Sequence, residues 1–334
     1  MRPISVIILN WNGAAMMRRF LPSVVAHSEP LAEVVVADNA STDDSLSMLA
    51  AEFPSVRVIR LDRNYGFAEG YNRALEQIAT PYSLLLNSDV EVTEGYLAPL
   101  LSFMEANADV AAVQPKLLAE WRRTHFEYAG AAGGFIDSLG YPFCRGRVFA
   151  SVEADSGQYD SVSDVHWTSG AAMLVRTRIY KEVGGLDSSF FAHMEEIDLC
   201  WRMRRAGWRL CCLPSSVVFH VGGGTLPQGS PRKTFLNFRN NLLMIAKNHP
   251  DANRILRTRW WLDALASLMF LAKGSWGEFR AVWRAWSEFR RLRRGLSQSV
   301  VGEASNAPFS ILWQYHVRGR RTFSALPPVS QNPS

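Results

Sequence analysis

Two acidic clusters and one lone carboxylate are the residues best suited to chemistry. The first cluster is Asn87-Ser88-Asp89-Val90-Glu91, which follows the apolar run Tyr82 to Leu86. A short apolar run after Thr80-Pro81 reads as a buried strand, and carboxylates at the end of such a strand lie at the ligand-binding edge of an open α/β sheet. Asp89, with Asn87 two residues before it, offers oxygen ligands suited to Mg²⁺ or Mn²⁺. The same three residues also fit a polar turn or a helix cap. The second cluster is Glu195, Glu196 and Asp198, after Phe190-Phe191-Ala192-His193-Met194. A helix is expected from near Glu195 to Ala206, with Gly207 as its stop. Glu195 and Asp198 share a face of that helix. A helix dipole favours acids in a first turn, but three in four residues exceed what capping requires. Asp38 ends a second apolar run, Val34 to Ala37, where a carboxylate can accept hydrogen bonds from a base or a ribose hydroxyl, or cap a helix.

Alternating elements position these groups. Ile4 to Leu9 reads as a central parallel strand, followed by the turn Asn10-Trp11-Asn12-Gly13 and a helix from Ala14 to His27. Ser41 or Thr42 is the expected N-cap of the helix after the second strand. Val56 to Leu61 is the third strand. Asn64, Gly66, Gly70 and Asn72 open a further helix, and glycines there would let backbone approach a phosphate. The fourth strand is Leu84 to Leu86. This alternation predicts an α/β fold with a doubly wound, mostly parallel sheet. Glu94 to Asn107 reads as a helix and Val110 to Pro115 as a strand. The stretch from Glu120 to Ser163 lacks periodicity and reads as loops and short strands over a site. Trp167, Ser169 and Gly170 join a small-residue turn to an apolar strand, and Cys211 to His220 is another strand ending in histidine.

Several classes are excluded. The first strand–helix turn carries no dinucleotide fingerprint, and no P-loop occurs. No nucleophile triad is evident. With 48% hydrophobic and 20% charged residues the composition is globular. The four cysteines show neither metal spacing nor a disulfide framework, which predicts a reduced, cytoplasmic setting. No signal peptide is expected at the N-terminus, and no apolar run is long enough to predict a transmembrane helix.

Taken together, four segments resemble the family 2 glycosyltransferases with a GT-A fold, in particular the bacterial rhamnosyltransferase-like members. They are Val6 to Asn12, Asp38 to Asp43, Asn64 to Asn72 and Leu86 to Glu91. The resemblance extends to about Gly224. It implies a nucleoside-diphosphate sugar donor, dTDP-rhamnose or a UDP-sugar, bound by Asn10, Asp38, Asn64, Gly66, Gly70, Asn72 and Ser88. It implies a divalent metal, Mg²⁺ or Mn²⁺, on Asp89 and His220, and a sugar and acceptor pocket at Trp167, Ser169 and Gly170. Its general base corresponds to Glu196, with Glu195 or Asp198 assisting. The family's metal motif is often Asp-x-Asp, whereas Asn87 stands first here, placing ligation mainly on Asp89. The implied reaction is inverting transfer of a sugar to a growing cell-surface glycan or lipid-linked acceptor by direct displacement. The alternatives are a sugar-phosphate nucleotidyltransferase, or a non-catalytic sugar-nucleotide-binding or membrane-docked scaffold.

The domains expected are a catalytic unit over 1–229, with a nucleotide-binding half (1–91) and an acceptor half (92–229), then amphipathic helices over 230–295 and a loose tail over 296–334. Between Arg254 and Arg294 stand ten Lys or Arg against three Asp or Glu. In Pro231 to Asn248, Phe235, Phe238, Leu242 and Ile245 form an apolar stripe, with Arg232, Lys233, Arg239 and Asn240 as its polar side. Phe279, Trp283, Trp286 and Phe289 recur at helical spacing beside arginines. That pattern fits either an interfacial helix on the cytoplasmic face of the inner membrane or a helical pair packed on the catalytic unit. No nucleic-acid partner is expected.

Overall fold

The computed structural model describes residues 2–222, 230–296 and 307–329. The first half alternates as the apolar pattern predicts: β1 (Ile4–Asn10), α1 (Ala14–Ser28), β2 (Ala32–Asp38), α2 (Ser45–Glu52), β3 (Arg57–Arg60), α3 (Gly66–Glu76) and β4 (Tyr82–Leu86). β5 (Val90–Val92), α4 (Leu97–Ala106), β6 (Val110–Ala119) and β7 (Arg122–Phe126) follow. Short strands β8 (Gly134–Ile136), β9 (Pro142–Cys144), β10 (Arg147–Val148), β11 (Ser151–Val152) and β12 (Ser163–Asp164) cross the aperiodic stretch. Then come β13 (Ala172–Arg176), α5 (Thr177–Glu182), α6 (Glu195–Arg205), β14 (Arg209–His220), α7 (Pro231–Asn248), α8 (Ala252–Ala272) and α9 (Trp276–Arg293).

The main sheet runs β12-β14-β6-β13-β4-β1-β2-β3, with β5 on β14 and β7 on β6. β1 to β4 are mutually parallel, and β13 enters antiparallel between β4 and β6. Both faces are covered, so the strands are apolar on both sides. Ile4, Val6 and Ile8 pack with α1 and α4 on one face, while Ile7 belongs to the cluster containing Tyr71, Leu75 and Trp201 on the other. Register places Asn10 opposite Asp38 and Ile8 opposite Leu86. The carboxyl ends of β1, β2 and β4 therefore share one edge. The small sheet β11-β10-β9-β8 lies beside this core.

The C-terminal helices take the packed arrangement, one of the two expected, whereas the tail departs from expectation. Leu242 and Ile245 of α7 share the core cluster of Leu199 and Trp201, so the helices beyond 230 extend the catalytic core instead of forming a separate layer. On α9, Trp286 and Phe289 are buried, and Trp286 Nε1 donates to Asp263 at 3.1 Å. That aromatic stripe is the packing face. Residues 307–329, expected within a loose tail, are packed: Ala307 and Ile311 are buried, and Phe323 stacks 5.1 Å from Phe135. The remainder of that expected tail, 297–306 and 330–334, lies outside the described residues, as do Gly223 and Gly224 of the glycine run after His220.

Candidate active site

The edge expected to meet the nucleotide is built from three strand ends. Asn10 Nδ2 donates to Asp38 Oδ1 at 3.1 Å and to Ser41 Oγ at 3.0 Å. Ser41 N donates to Asp38 Oδ2 at 3.0 Å, fixing both carboxylate oxygens. Asn10 Oδ1 is buried without a partner, so it keeps an acceptor for a ligand. A Cβ at position 13 would stand 2.5 Å from that oxygen, so Gly13 gives Asn10 its room, with Ser88 Oγ alongside. Ser41 and Thr42 do not cap α2, whose N-cap is Asp44. They are engaged instead with the Asn10–Asn12 turn, where Asn12 Oδ1 accepts from Thr42 N at 2.7 Å.

The Asn64–Asn72 segment divides by role. Asn64 Oδ1 closes its own turn on Gly66 N, 2.8 Å away, and also accepts from Asn39 Nδ2 at 3.1 Å. Asn39, which sequence reasoning did not single out, thereby ties this loop to the end of β2. Gly66 has φ +78° and lies against the Phe191 ring, leaving no space for a Cβ. Gly70 packs on Leu9 and Asn39. Asn72 is turned away from the edge: it donates to Leu186 O at 2.7 Å and accepts from Tyr180 Oη at 2.7 Å, binding α3 to the Leu186 turn.

At the end of β4, Asp89 meets His220 at the end of β14, with Oδ1 and Nε2 3.1 Å apart. Asn87 Nδ2 is 3.4 Å from the same nitrogen. On the other ring edge, His220 Nδ1 lies 3.4 Å from Glu127 Oε1. Burial would lower the imidazole pKa, but Glu127 and Asp89 outweigh it and raise it to about 10. Burial opposes ionisation of Asp89, yet the His220 contact holds that carboxyl below its ordinary value. Glu127 was not anticipated, since it sits in a stretch without periodicity. Among the described residues no group of three His, Cys, Asp or Glu is arranged to hold an ion alone. Asp89 and His220 could supply two ligands to a cation, and a diphosphate would have to complete the shell. That suits Mg²⁺, which is commonly held by one or two carboxylates plus substrate phosphates.

The acidic helix is close by. Asn87 N donates to Ala171 O at 3.0 Å, while the neighbouring Gly170 would place a Cβ 3.4 Å from the Glu196 Cβ. One dipeptide thus adjoins both Asn87, which neighbours His220, and Glu196. Glu195 Oε2 and Glu196 Oε2 are both buried without a partner. Burial pushes Glu196 up to about 7 against the backbone N–H groups of the helix start, which pull it down. Glu195 is driven well above its ordinary value, by burial and then by the charge of Glu196. Asp198 is different. It is fully buried, accepts from Arg202 Nε and Asn248 Nδ2 at 2.8 Å each, and serves the packing of α6 on α7. Trp167 and Ser169 are likewise core residues: the indole donates to Phe135 O at 3.0 Å, and Ser169 Oγ to Ala129 O at 2.6 Å. Of that expected pocket, Gly170 adjoins Glu196.

The lead into α6 has Phe191, His193 and Met194 at φ 65°, 70° and 74°. Such conformations persist only where the surroundings impose them. Arg239 and Asn240 of α7, expected on a polar face, are buried and grip this segment: Asn240 Nδ2 reaches the carbonyls of Phe190, Ala192 and His193 at 2.7–2.9 Å.

Known proteins resemble this chain in sequence and in fold. Residues 5–132 match the Glycosyl transferase family 2 domain. An N-acetylglucosaminyl-diphospho-decaprenol L-rhamnosyltransferase of Mycobacterium tuberculosis is 25% identical over 315 residues, 90% of this chain and 98% of that one. A dTDP-rhamnosyl transferase of Shigella flexneri is 24% identical over 236 residues, 65% of this chain and 71% of that one. Among solved structures, GalNAc-T7 with UDP, GalNAc and Mn²⁺ superposes with a TM-score of 0.60 at 15% identity, covering 96% of this chain and 57% of that chain. Residues 5–132 thus form a family 2 glycosyltransferase domain, and the chain as a whole carries the GT-A fold.

Proposed function

We propose that the protein transfers rhamnose from dTDP-rhamnose to a hydroxyl of a lipid-linked glycan acceptor at the cytoplasmic face of a membrane, with inversion. The observation that supports the reading is the Gly170-Ala171 dipeptide: Ala171 O accepts from Asn87, whose side chain neighbours His220, and Gly170 lies against the Glu196 side chain. The donor and acceptor classes rest on the names of the two rhamnosyltransferase relatives.

Asn10, Asp38, Asn64, Gly66 and Ser88 would border the nucleoside, and the free Asn10 Oδ1 offers it an acceptor. A divalent cation on Asp89 and His220 would act as a Lewis acid toward the diphosphate oxygens. The acceptor O–H gives its proton to the Glu196 carboxylate as its oxygen attacks the anomeric carbon. The bond from that carbon to the diphosphate oxygen breaks, and the nucleoside diphosphate departs with the electron pair. A base with a pKa near the working pH contributes about 10²–10⁴-fold. Glu195, whose ionisation burial and the neighbouring Glu196 oppose, can assist Glu196 in holding the acceptor.

The test combines binding with turnover. Thermal shift with a panel of nucleoside diphosphates, with and without Mn²⁺, should give metal-dependent stabilisation that Asp89→Ala abolishes. Transfer of labelled rhamnose from dTDP-rhamnose to a polyprenyl-diphosphate sugar should be lost in Glu196→Gln, which retains the nucleotide shift. Stabilisation by no nucleotide in folded protein would defeat the reading.

A further inference from the structure

The outward positions of α8 carry an unbroken apolar row. Trp261 is 71% exposed, Leu265 58%, Leu268 56% and Met269 53%, spaced i, i+4, i+7 and i+8. Trp276, the first residue of α9, is 60% exposed and continues the row past the Gly274 turn. The inward positions of α8, among them Ile255, Leu256, Arg259 and Asp263, are buried. The row is therefore surplus to packing. Exposed apolar residues are ordinarily scattered singly, and a contiguous set marks an interaction surface.

The exposed charge of the same two helices selects the occupant. Arg257 of α8 and Lys273 just after it are exposed, as are Arg280, Arg284 and Arg290 of α9 and Arg294 just after it. A second copy would meet this surface through a two-fold axis, bringing the same basic positions toward each other. An anionic bilayer offers the opposite charge and an apolar layer for tryptophan and leucine. No helix among the described residues is long and apolar enough to cross a membrane, so the contact would lie in the interface.

The row also points toward the catalytic machinery. Gly277 packs on the Pro231 ring at the start of α7. One residue on, the Arg232 guanidinium lies 5.5 Å from the Phe191 ring, which itself packs on Gly66. The α8–α9 turn thus lies at the same end of α7 as the strained segment before Glu195. We infer that Trp261, Leu265, Leu268, Met269 and Trp276, with the flanking arginines, seat the protein on an anionic lipid surface. This holds the site at the level where a lipid-linked acceptor presents its sugar. The inference rests on the lipid-linked acceptor reading for its purpose, but not for its test.

Vesicle co-sedimentation of the full chain decides it. Phosphatidylcholine vesicles containing phosphatidylglycerol should pellet the protein, phosphatidylcholine alone should not, and added salt should weaken binding. Combined Trp261→Ser, Leu265→Gln and Leu268→Gln should lower the partition by roughly tenfold or more, because apolar burial drives insertion. Arg280→Glu with Arg290→Glu should remove the preference for the anionic lipid. All five positions are exposed, and circular dichroism with a melting curve checks the fold of each variant. Wild type that stays in the supernatant, or an apolar variant that binds undiminished, overturns the inference. So does a wild-type dimer that the apolar variant converts to monomer without vesicle binding, which would make a second copy the occupant. Asp89→Ala should lose the nucleotide shift yet pellet normally, so failure of the catalytic reading is distinguishable from failure of this one.

Discussion

The side-chain amide of Asn240 lies 2.7 Å from the carbonyl oxygen of His193, and the same nitrogen serves Ala192 at 2.8 Å and Phe190 at 2.9 Å. Those carbonyls belong to a segment with three left-handed residues immediately before Glu195. Without Asn240 the Ala192 and His193 carbonyls lose this donor, at a cost of about 1–3 kcal/mol, while Phe190 O keeps Arg239 Nη2 at 2.8 Å. The relaxed segment would also swing Glu195 and Glu196. Asn240→Ala should therefore lower kcat roughly tenfold or more while the KM for the donor changes little. Asn240→Asp should be worse than Ala, because it sets a carboxylate against three carbonyls. Steady-state kinetics with a melting curve separates the two effects. An unchanged kcat in a destabilised protein would reduce Asn240 to a packing residue.

Glu196 couples activity and stability to pH in opposite directions. As a base it must be ionised, so kcat/KM should rise with pH through about 7. Its folded pKa is raised above the ordinary 4.5, so the folded state binds the proton more tightly than the unfolded chain. The corresponding stability is full below about 4.5 and is lost as pH rises through about 7. Glu196→Gln removes this cost and should stabilise the protein above pH 7 by on the order of 1–3 kcal/mol, with little gain in acid. Melting temperatures of both proteins across pH give the comparison. A constant difference between them would refute a buried, titrating Glu196.

Asp198 tests the division of labour within the acidic cluster. Its carboxylate holds Arg202 and Asn248 from a fully buried position. Asp198→Ala leaves the Arg202 guanidinium without its carboxylate and should cost roughly 3–5 kcal/mol. Asp198→Asn keeps a polar group there and should cost less. In either variant the folded fraction should turn over within a few-fold of wild type, once activity is scaled to folded protein by circular dichroism. A much larger loss in well-folded Asp198→Asn would return Asp198 to the chemistry.

Legibility in the sequence followed how local each signal is. The runs Ile4 to Leu9, Val34 to Ala37 and Tyr82 to Leu86 are apolar on both faces, and they became the parallel strands whose ends carry Asn10, Asp38 and Asp89. The acids at the head of α6 were readable because a helix start and its stop, Gly207, are coded within a dozen residues. Which acid faces what was not readable. Glu196 and Asp198 are told apart by Gly170 and Asn248, both remote in sequence, while Arg202, one turn on from Asp198, is the only local cue. Glu127 and Asn240 were missed for the same reason. Their partners, His220 and the Phe190–His193 carbonyls, are joined to them only by tertiary packing. The aromatic stripe of α9 shows the complementary limit. Helical periodicity gives an apolar face but not its direction, and Trp286 and Phe289 turned inward while Trp261 and Leu265 of α8 remained outside.

The segment 307–329 completes the core around the small sheet, although its composition suggests a tail. Phe323 lies 5.1 Å from Phe135 and 5.8 Å from Tyr159, ring to ring. Phe309 lies 6.0 Å from Phe143. The Ile311 amide donates to the buried Asp137 carboxylate at 2.8 Å. Burial raises the Asp137 pKa to about 6, and the amides of Tyr141, Ile311 and Leu139 oppose that rise. Truncation after Gly295 would uncover Phe135 and Phe143 and withdraw one of those amides. The truncated chain should melt well below the full chain and bind a hydrophobic dye at temperatures where the full chain does not. Phe323→Ala is the milder form of the same test. Loss of one half-buried aromatic should cost about 2–3 kcal/mol and leave nucleotide binding intact, because the small sheet is separate from the β1–β4 edge. A truncated chain as stable as the full one would show that these aromatic contacts contribute nothing to the fold.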